Sequence, residues 1–160
     1  MKTKWMIWLI GLVGMLTLTA CQAKVVSAQK AYEPSLVQTI AEAGAFSEEL
    51  EELDGDTAFA LYRLADYGLS REDLTDCAVL RSAGATCEEA AVLVIADGDQ
   101  TLVDQAEQAL KDYVQSQIDA NRDYRPAEIP KLENALVDVR ERTLLLVVAN
   151  DLEAVKTAME

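Results

Sequence analysis

Histidine is absent from all 160 residues of this sequence. Without it, the chain lacks the side chain that most often acts as a general base near neutral pH, and also the commonest metal ligand. A Ser-His-Asp hydrolase is therefore excluded, and the sequence contains neither a Gly-x-Ser-x-Gly elbow nor a glycine-rich phosphate loop. We accordingly expect a chain without catalytic residues, without a metal site and without a cofactor.

Basic side chains are scarce as well. The 14 Lys and Arg residues stand against 28 Asp and Glu residues, which gives a formal net charge of -14. Nucleic acids and anionic membrane surfaces both require clustered cations, so neither is an expected partner of the folded domain. Acidity of this kind keeps a domain soluble, and it can also attract cations or cationic partners.

Cysteine occurs only three times, and the first, Cys21, ends the most informative stretch of the chain. Lys2 and Lys4 precede an apolar, uncharged run over residues 5–18, which is shorter than the roughly 20 residues of a membrane-spanning helix. Positive start, short apolar run and small residues at its end are typical of an export signal. Leu18-Thr19-Ala20-Cys21 resembles the lipobox of bacterial lipoproteins.

The lipobox resemblance implies cleavage between Ala20 and Cys21 and a diacylglyceryl group on the Cys21 thiol. Two acyl chains hold a protein on a bilayer where one would bind only marginally. We therefore expect a signal peptide over 1–20, a lipidated cysteine and tether over 21–33, and one domain over 34–160. That domain would contact the membrane through its lipid, on the outer face of the bacterial cytoplasmic membrane. The alternative is an uncleaved signal anchor with an incidental cysteine.

The first part of the domain shows helical spacing. A helix is predicted after Pro34, a second short and acidic helical segment over 47–53, and a third helix capped by Asp56 or Thr57.

The second part changes to strand patterns. Residues 77–80 and 90–96 read as a hairpin, and a long helix opens at Thr101. Strands are predicted again over 134–139 and 144–149, before a final helix capped by Asn150 or Asp151. The buried face of the long helix is predicted to carry Leu102, Ala106, Ala109, Leu110, Tyr113, Val114 and Ile118.

The expected fold is therefore α+β. It has an antiparallel sheet of about four strands in the order β-β-α-β-β-α, with the N-terminal helices packed on one face.

Three stretches, Gly84 to Val92, Pro126 to Ala135 and Leu146 to Asp151, resemble an uncharacterised family of bacterial lipoproteins, the domain of unknown function 4358. The resemblance implies a lipid-anchored extracytoplasmic domain, and it transfers no catalytic or ligand residue. The chain departs from the family at Cys87, where relatives carry a small residue, often alanine.

Cys77 and Cys87 flank the predicted hairpin. If Ser82 were its centre, the two would face each other within disulfide range, and export would permit the bond. The alternative is a pair of small buried thiols, or a register that separates them.

Two further features are candidates for binding. The acidic stretch from Glu48 to Asp56 suits calcium chemically but lacks EF-hand spacing, and a solvated helix face followed by a turn is the favoured explanation. Asp97-Gly98-Asp99 is explained by a turn and a helix cap. The loop residues Tyr124, Arg125 and Pro126, with Tyr113, are typical recognition residues, although a tyrosine packed over the core is the commoner outcome.

Two functional hypotheses follow. The first is a non-enzymatic domain that binds an envelope protein, a wall component or a small solute. The second is a hydrolase of an envelope polymer that works through paired carboxylates, which need no histidine.

Overall fold

The computed structural model describes residues 30–96, 98 and 100–160. The predicted signal peptide, Cys21 and most of the tether lie outside these residues, as do Asp97 and Asp99. Within the described ranges, no helix has both the length and the apolar character needed to cross a membrane.

Helices and strands alternate in blocks along the chain, which confirms the α+β prediction. The order is α1 (Leu36–Glu42), β1 (Glu51–Leu53), α2 (Gly55–Leu61), β2 (Leu74–Arg81), β3 (Glu89–Ile95), α3 (Gln100–Asn121), α4 (Ile129–Glu133), β4 (Leu136–Arg140), β5 (Thr143–Val148) and α5 (Leu152–Ala158). Two short 3₁₀ turns, Leu64–Tyr67 and Arg71–Asp73, connect α2 to β2.

The sheet is antiparallel and has five strands in the order β1-β2-β3-β5-β4. The predicted hairpin is present as β2 and β3, the predicted strands β4 and β5 form a second one, and β3 pairs with β5 to join them. The additional strand is β1, in a segment for which we predicted a helix. Glu51, Glu52 and Leu53 lie opposite Arg81, Leu80 and Val79. Helix propensity is a weak preference that tertiary pairing overrides, and here the edge of β2 supplies that pairing.

Helices cover both faces of the sheet, so the prediction of N-terminal helices on one face is wrong. Ala91, Leu93 and Ile95 of β3 pack in one core with α2 and α3, whereas Ala90 and Val92 pack in a second core with α1 and α5. Every residue of β3 and β5 is buried. Central strands that bury side chains on both faces need cover on both sides, and one layer of helices cannot provide it.

Helix ends agree with the sequence in part. Asp151 caps α5, as predicted, because its carboxylate accepts hydrogen bonds from the N–H groups of Glu153 and Ala154 at 2.9 and 3.1 Å. The cap of α2 is Asp54 rather than Asp56 or Thr57, since the helix begins at Gly55. The predicted buried face of α3 is confirmed, except that Val103 is buried where Leu102 is half-buried.

The chain is already packed against the domain at Tyr32, two residues before the predicted domain start. The Tyr32 backbone N–H donates to Thr143 Oγ1 at 2.8 Å, and its hydroxyl donates to Asp138. The Arg140 guanidinium lies 4.3 Å from the centre of the Tyr32 ring. These contacts hold the entering chain on the β4–β5 hairpin.

Candidate functional site

Buried polar side chains surround the turn between β2 and β3. Ser82 Oγ accepts hydrogen bonds from the N–H groups of Gly84 and Thr86 at 3.1 and 3.0 Å, and it donates to Glu48 Oε1 at 2.6 Å. Thr86 Oγ1 donates to the same oxygen at 2.7 Å. The hydrogen bonds from Ser82 and then Thr86 hold the pKa of Glu48 below its usual value. Glu48 therefore ties the segment before β1 to the turn.

Glu88, immediately before β3, is a fully buried carboxylate. It accepts hydrogen bonds from the Ser47 N–H at 2.8 Å, from the Ser47 hydroxyl at 2.7 Å and from Lys131 Nζ at 2.9 Å. Lys131 Nζ also donates to Glu128 Oε1 at 3.2 Å. The other carboxylate oxygen of Glu128 accepts a hydrogen bond from the Cys87 N–H at 2.9 Å. Burial by itself would lower the pKa of Lys131, but its hydrogen bonds to Glu88 and Glu128 outweigh burial and raise it. Lys131 is thus a charged bridge between two carboxylates.

We call the set Ser47, Glu48, Ser82, Thr86, Glu88, Glu128 and Lys131 the hairpin network. It joins two of the stretches that carry the family resemblance, residues 84–92 and 126–135. The opposite charges of Glu88 and Lys131 were visible in the sequence, but no periodicity indicated that these residues meet.

Glu89, the first residue of β3, is the centre of a second buried cluster. Its carboxylate accepts hydrogen bonds from the hydroxyl of Tyr62, from the hydroxyl of Tyr113 at 2.7 Å and from Arg81 Nε at 3.1 Å. The two tyrosine rings meet edge to face at 5.1 Å. Burial raises the pKa of Glu89, and the hydrogen bonds from Tyr62, Tyr113 and Arg81 only partly oppose it.

Both tyrosines of this cluster keep their protons. Burial, and then the charge of Glu89, raise the pKa of Tyr62 and of Tyr113. Each hydroxyl is therefore a hydrogen-bond donor to Glu89. Among the described residues, no buried side-chain nitrogen or oxygen lacks a hydrogen-bond partner. The buried acids are therefore engaged in holding the fold together.

Cys77 and Cys87 do not face each other. Arg81 pairs with Glu89, so the hairpin centres on residue 85 rather than on Ser82, and Cys77 lies opposite Leu93. Leu93 lies six positions after Cys87 in the chain, about 20 Å at the rise of a strand, whereas a disulfide spans at most about 7 Å between Cα atoms. Both thiols are free, and burial raises the pKa of each. The register on which the disulfide hypothesis depended is wrong.

The acidic stretch from Glu48 to Asp56 is divided between several roles. Glu48 belongs to the hairpin network, and Asp54 caps α2. Asp56 accepts a hydrogen bond from Arg71 Nε at 2.6 Å. Across the described part of the chain, no group of three or more Cys, Asp or Glu side chains is arranged to hold a metal ion.

The fold separates the candidate recognition residues Tyr113, Tyr124 and Arg125. Tyr124 is 87 % exposed, whereas Tyr113 is buried beside Glu89. Arg125 donates to the carbonyl oxygens of Gly84 and Thr86 at 2.9 and 3.4 Å, so it fastens the hairpin turn.

An open groove, which the sequence analysis did not predict, runs between α1 and the outer face of β1 and β2. It has two adjoining lobes of about 240 and 260 Å³, both lined by Gln38 and Leu80. Its floor is formed by Ala78 and Leu80 of β2. We call this surface the α1 groove; one wall comprises Pro34, Gln38 and Glu42, and the other Glu49, Leu50 and Glu52.

The α1 groove exists because the helical cover on this face is incomplete. The second core gathers around β3 and β5, and Ala78, Leu80 and Phe46 are only partly buried at its border. The strand register contained a signal for this surface, since Ala78 and Leu80 alternate with the buried Val79. This pattern alone could not predict the groove, because the groove also requires α1 to lie on the same face of the sheet.

A protein-family model matches more than half of the chain. Residues 47–149 match the family model described as "Domain of unknown function (DUF4358)". The matched range includes the hairpin network and all five strands, and it excludes α1 and α5. Neither the curated proteins nor the solved structures contain a match to the chain.

Proposed function

We propose that this chain, which belongs to the DUF4358 family, is a lipid-anchored extracytoplasmic domain that binds a partner at the bacterial envelope. The support for the anchor is the sequence up to Cys21, with its two lysines, its short apolar run and its lipobox-like end. Eleven residues lead from Cys21 to the packed Tyr32, a reach of at most about 40 Å. A tether of that length would keep the domain close to the membrane surface.

The observation that carries the binding role is the α1 groove. It is concave and open, and its floor is apolar, as is typical of surfaces that bind ligands or peptides. The buried acids Glu88 and Glu89 are not available as a hydrolytic pair. A hydrolytic pair must face a cleft that holds the sugar or polymer. The carboxylate oxygens of Glu88 instead accept hydrogen bonds from Ser47 and Lys131. Those of Glu89 accept hydrogen bonds from Tyr62, Tyr113 and Arg81.

The anchor is tested by a Cys21→Ala variant expressed in the native host. We expect it to lose incorporation of labelled fatty acid and to lose retention in the membrane fraction, because the acyl chains have no attachment site. Cys87→Ala is the matched control and should keep both. Membrane retention of the Cys21→Ala variant with its signal still attached would contradict the lipid anchor in favour of a signal anchor.

Binding is tested by crosslinking the tagged, lipidated protein in cells and identifying the products by mass spectrometry. A single reproducible envelope protein, enriched over the Cys21→Ala control, is the result we expect. Recovery of wall fragments alone would keep the binding role and change the class of partner. An absence of any enriched molecule would count against a binding domain and would make the carboxylate hydrolase the hypothesis to test.

A further inference from the structure

We infer that the α1 groove binds a cationic, partly apolar peptide segment of a partner protein in extended conformation. This inference rests on the proposed binding function and names the chemistry of its ligand. It follows from three properties of the groove, namely its apolar floor, the charge of its walls and its length.

The floor of the groove favours apolar side chains. Ala78 and Leu80 are half-buried and project from β2 on the face that α1 only partly covers, and Phe46 and Leu50 adjoin them. Contact with a ligand would remove this apolar surface from water, which is the main favourable contribution to most association reactions.

The walls of the groove favour positive charge. Glu42, Glu49 and Glu52 are exposed on its two sides, and none of the described residues that line the two lobes is basic. The Glu42 carboxylate receives one neutral hydrogen bond, from Gln38 Nε2 at 3.1 Å. A ligand that carries Lys or Arg would therefore meet three exposed carboxylates around an apolar floor, beside Glu48, which the hairpin network already holds.

Lys30, four residues before the groove residue Pro34, pairs with Glu33 at 3.2 Å. Three basic side chains of β2, α4 and the 121–128 segment are also engaged by other groups. Arg81 is paired with Glu89, Lys131 with Glu88 and Glu128, and Arg125 with backbone carbonyl groups of the turn. The chain as a whole carries a net charge of -14, so its field also draws cationic ligands toward it. Acidic or neutral apolar peptides would lack this attraction.

The length of the groove sets the size of the ligand. The seven residues of α1 span about 10 Å, and the chain on either side extends the wall, so an extended segment of about three to five residues fits. Side chains of an extended peptide alternate between two faces. Apolar residues at every second position would contact Ala78 and Leu80 while the intervening Lys or Arg side chains reach the walls.

The test uses the mature lipidated protein, which begins at Cys21, in nanodiscs of phosphatidylcholine, which carry no net charge. The probe is a fluorescein-labelled heptapeptide of alternating lysine and valine, and its affinity is measured by fluorescence anisotropy. A lysine–serine peptide of equal charge and a glutamate–valine peptide serve as ligand controls. We expect the lysine–valine peptide to bind more tightly than both.

Two triple variants with the same change in net charge locate the site. Glu42→Gln/Glu49→Gln/Glu52→Gln neutralises the walls, and Glu72→Gln/Glu133→Gln/Glu141→Gln neutralises three exposed residues elsewhere. We expect the wall variant to weaken binding about tenfold, since three exposed ion pairs are lost. The control variant should weaken it less than about twofold, through the net charge alone.

Several results would overturn the inference. They are an equal loss of affinity in the two triple variants, equal affinities of the lysine–serine and lysine–valine peptides, and no binding of the lysine–valine peptide. Tighter peptide binding by a Lys24→Gln variant would assign the groove to the chain's own tether. Self-association that the wall variant abolishes would assign it to a second copy. If the partner crosslinked in cells is still captured by the wall variant, the groove inference fails and the proposed binding function stands.

Discussion

Replacement of Lys131 by methionine tests the hairpin network most directly. Methionine keeps most of the apolar stem that Lys131 packs into the domain and removes its charge. Glu88, whose side chain is 0 % exposed, would then be a buried carboxylate without its cation, while Lys131 itself is 17 % exposed in the native fold. Removal of one partner from a buried ion pair typically costs about 3–5 kcal/mol.

We expect the lower end of that range for Lys131→Met, about 3 kcal/mol, because Glu88 keeps its two hydrogen bonds from Ser47. For a domain of this size, that loss corresponds to a fall in Tm of roughly 10 °C. The measurement is urea-induced unfolding followed by circular dichroism. Lys111→Met is the matched control. It removes an ion pair with Glu107 on the surface of α3, and it should cost less than about 0.5 kcal/mol.

A double-mutant cycle separates the loss of the ion pair from the loss of packing. In Lys131→Met/Glu88→Gln the buried charge is gone, and the glutamine can exchange hydrogen bonds with Ser47, whose hydroxyl both donates and accepts. We therefore expect the double variant to be more stable than Lys131→Met alone. A cost below about 1 kcal/mol for Lys131→Met, with no coupling to Glu88, would refute the network as a source of stability.

The other two predictions concern a helix cap and a buried acid. Asp151→Ala should lower the free energy of unfolding by about 1 kcal/mol, because it removes the acceptor for the Glu153 and Ala154 N–H groups. Urea-induced unfolding measures this loss, and the control variant Asn150→Ala should lower the free energy of unfolding by less. Folding raises the pKa of Glu89 above its ordinary value of 4.5. The contribution of this side chain to stability is therefore fully present below pH 4.5 and is lost as pH rises through the raised pKa of the folded state. The stability of Glu89→Gln relative to the wild type should therefore increase from pH 4.5 upward in urea unfolding series, and a decrease would contradict the assigned direction.

Local periodicity was sufficient to predict the helices and strands that are long or fully buried. The steps of three and four residues from Ala106 to Ile118 correctly predicted the face that α3 buries, and the apolar runs of β3 and β5 correctly predicted strands. The family resemblance was likewise confirmed, since the match over residues 47–149 contains all three stretches that suggested it, apart from the last two residues of the third. The lipid anchor at Cys21 stays a prediction from the sequence.

Nonlocal contacts account for what the sequence analysis missed. Residues 51–53 have a helical composition, and only the edge of β2 makes them a strand. The hairpin centre was placed at Ser82 instead of residue 85, because the turn residues Ser82 and Gly84 fit either position and the register depends on which side chains the two cores bury. Glu88 and Glu89 look like a solvated acidic pair in the sequence, yet both are buried.

The sequence by itself determined the class of fold and the order of its longer elements, because helical and strand periodicities are properties of neighbouring residues. It also contained the export signal pattern, which is read from consecutive residues. Tertiary structure alone decided that α1 and α2 lie on opposite faces, that Lys131 meets Glu88 from 43 residues away, and that a groove remains beside α1. Each of these depends on how elements distant in the chain share the two faces of one sheet, and no local pattern encodes that division.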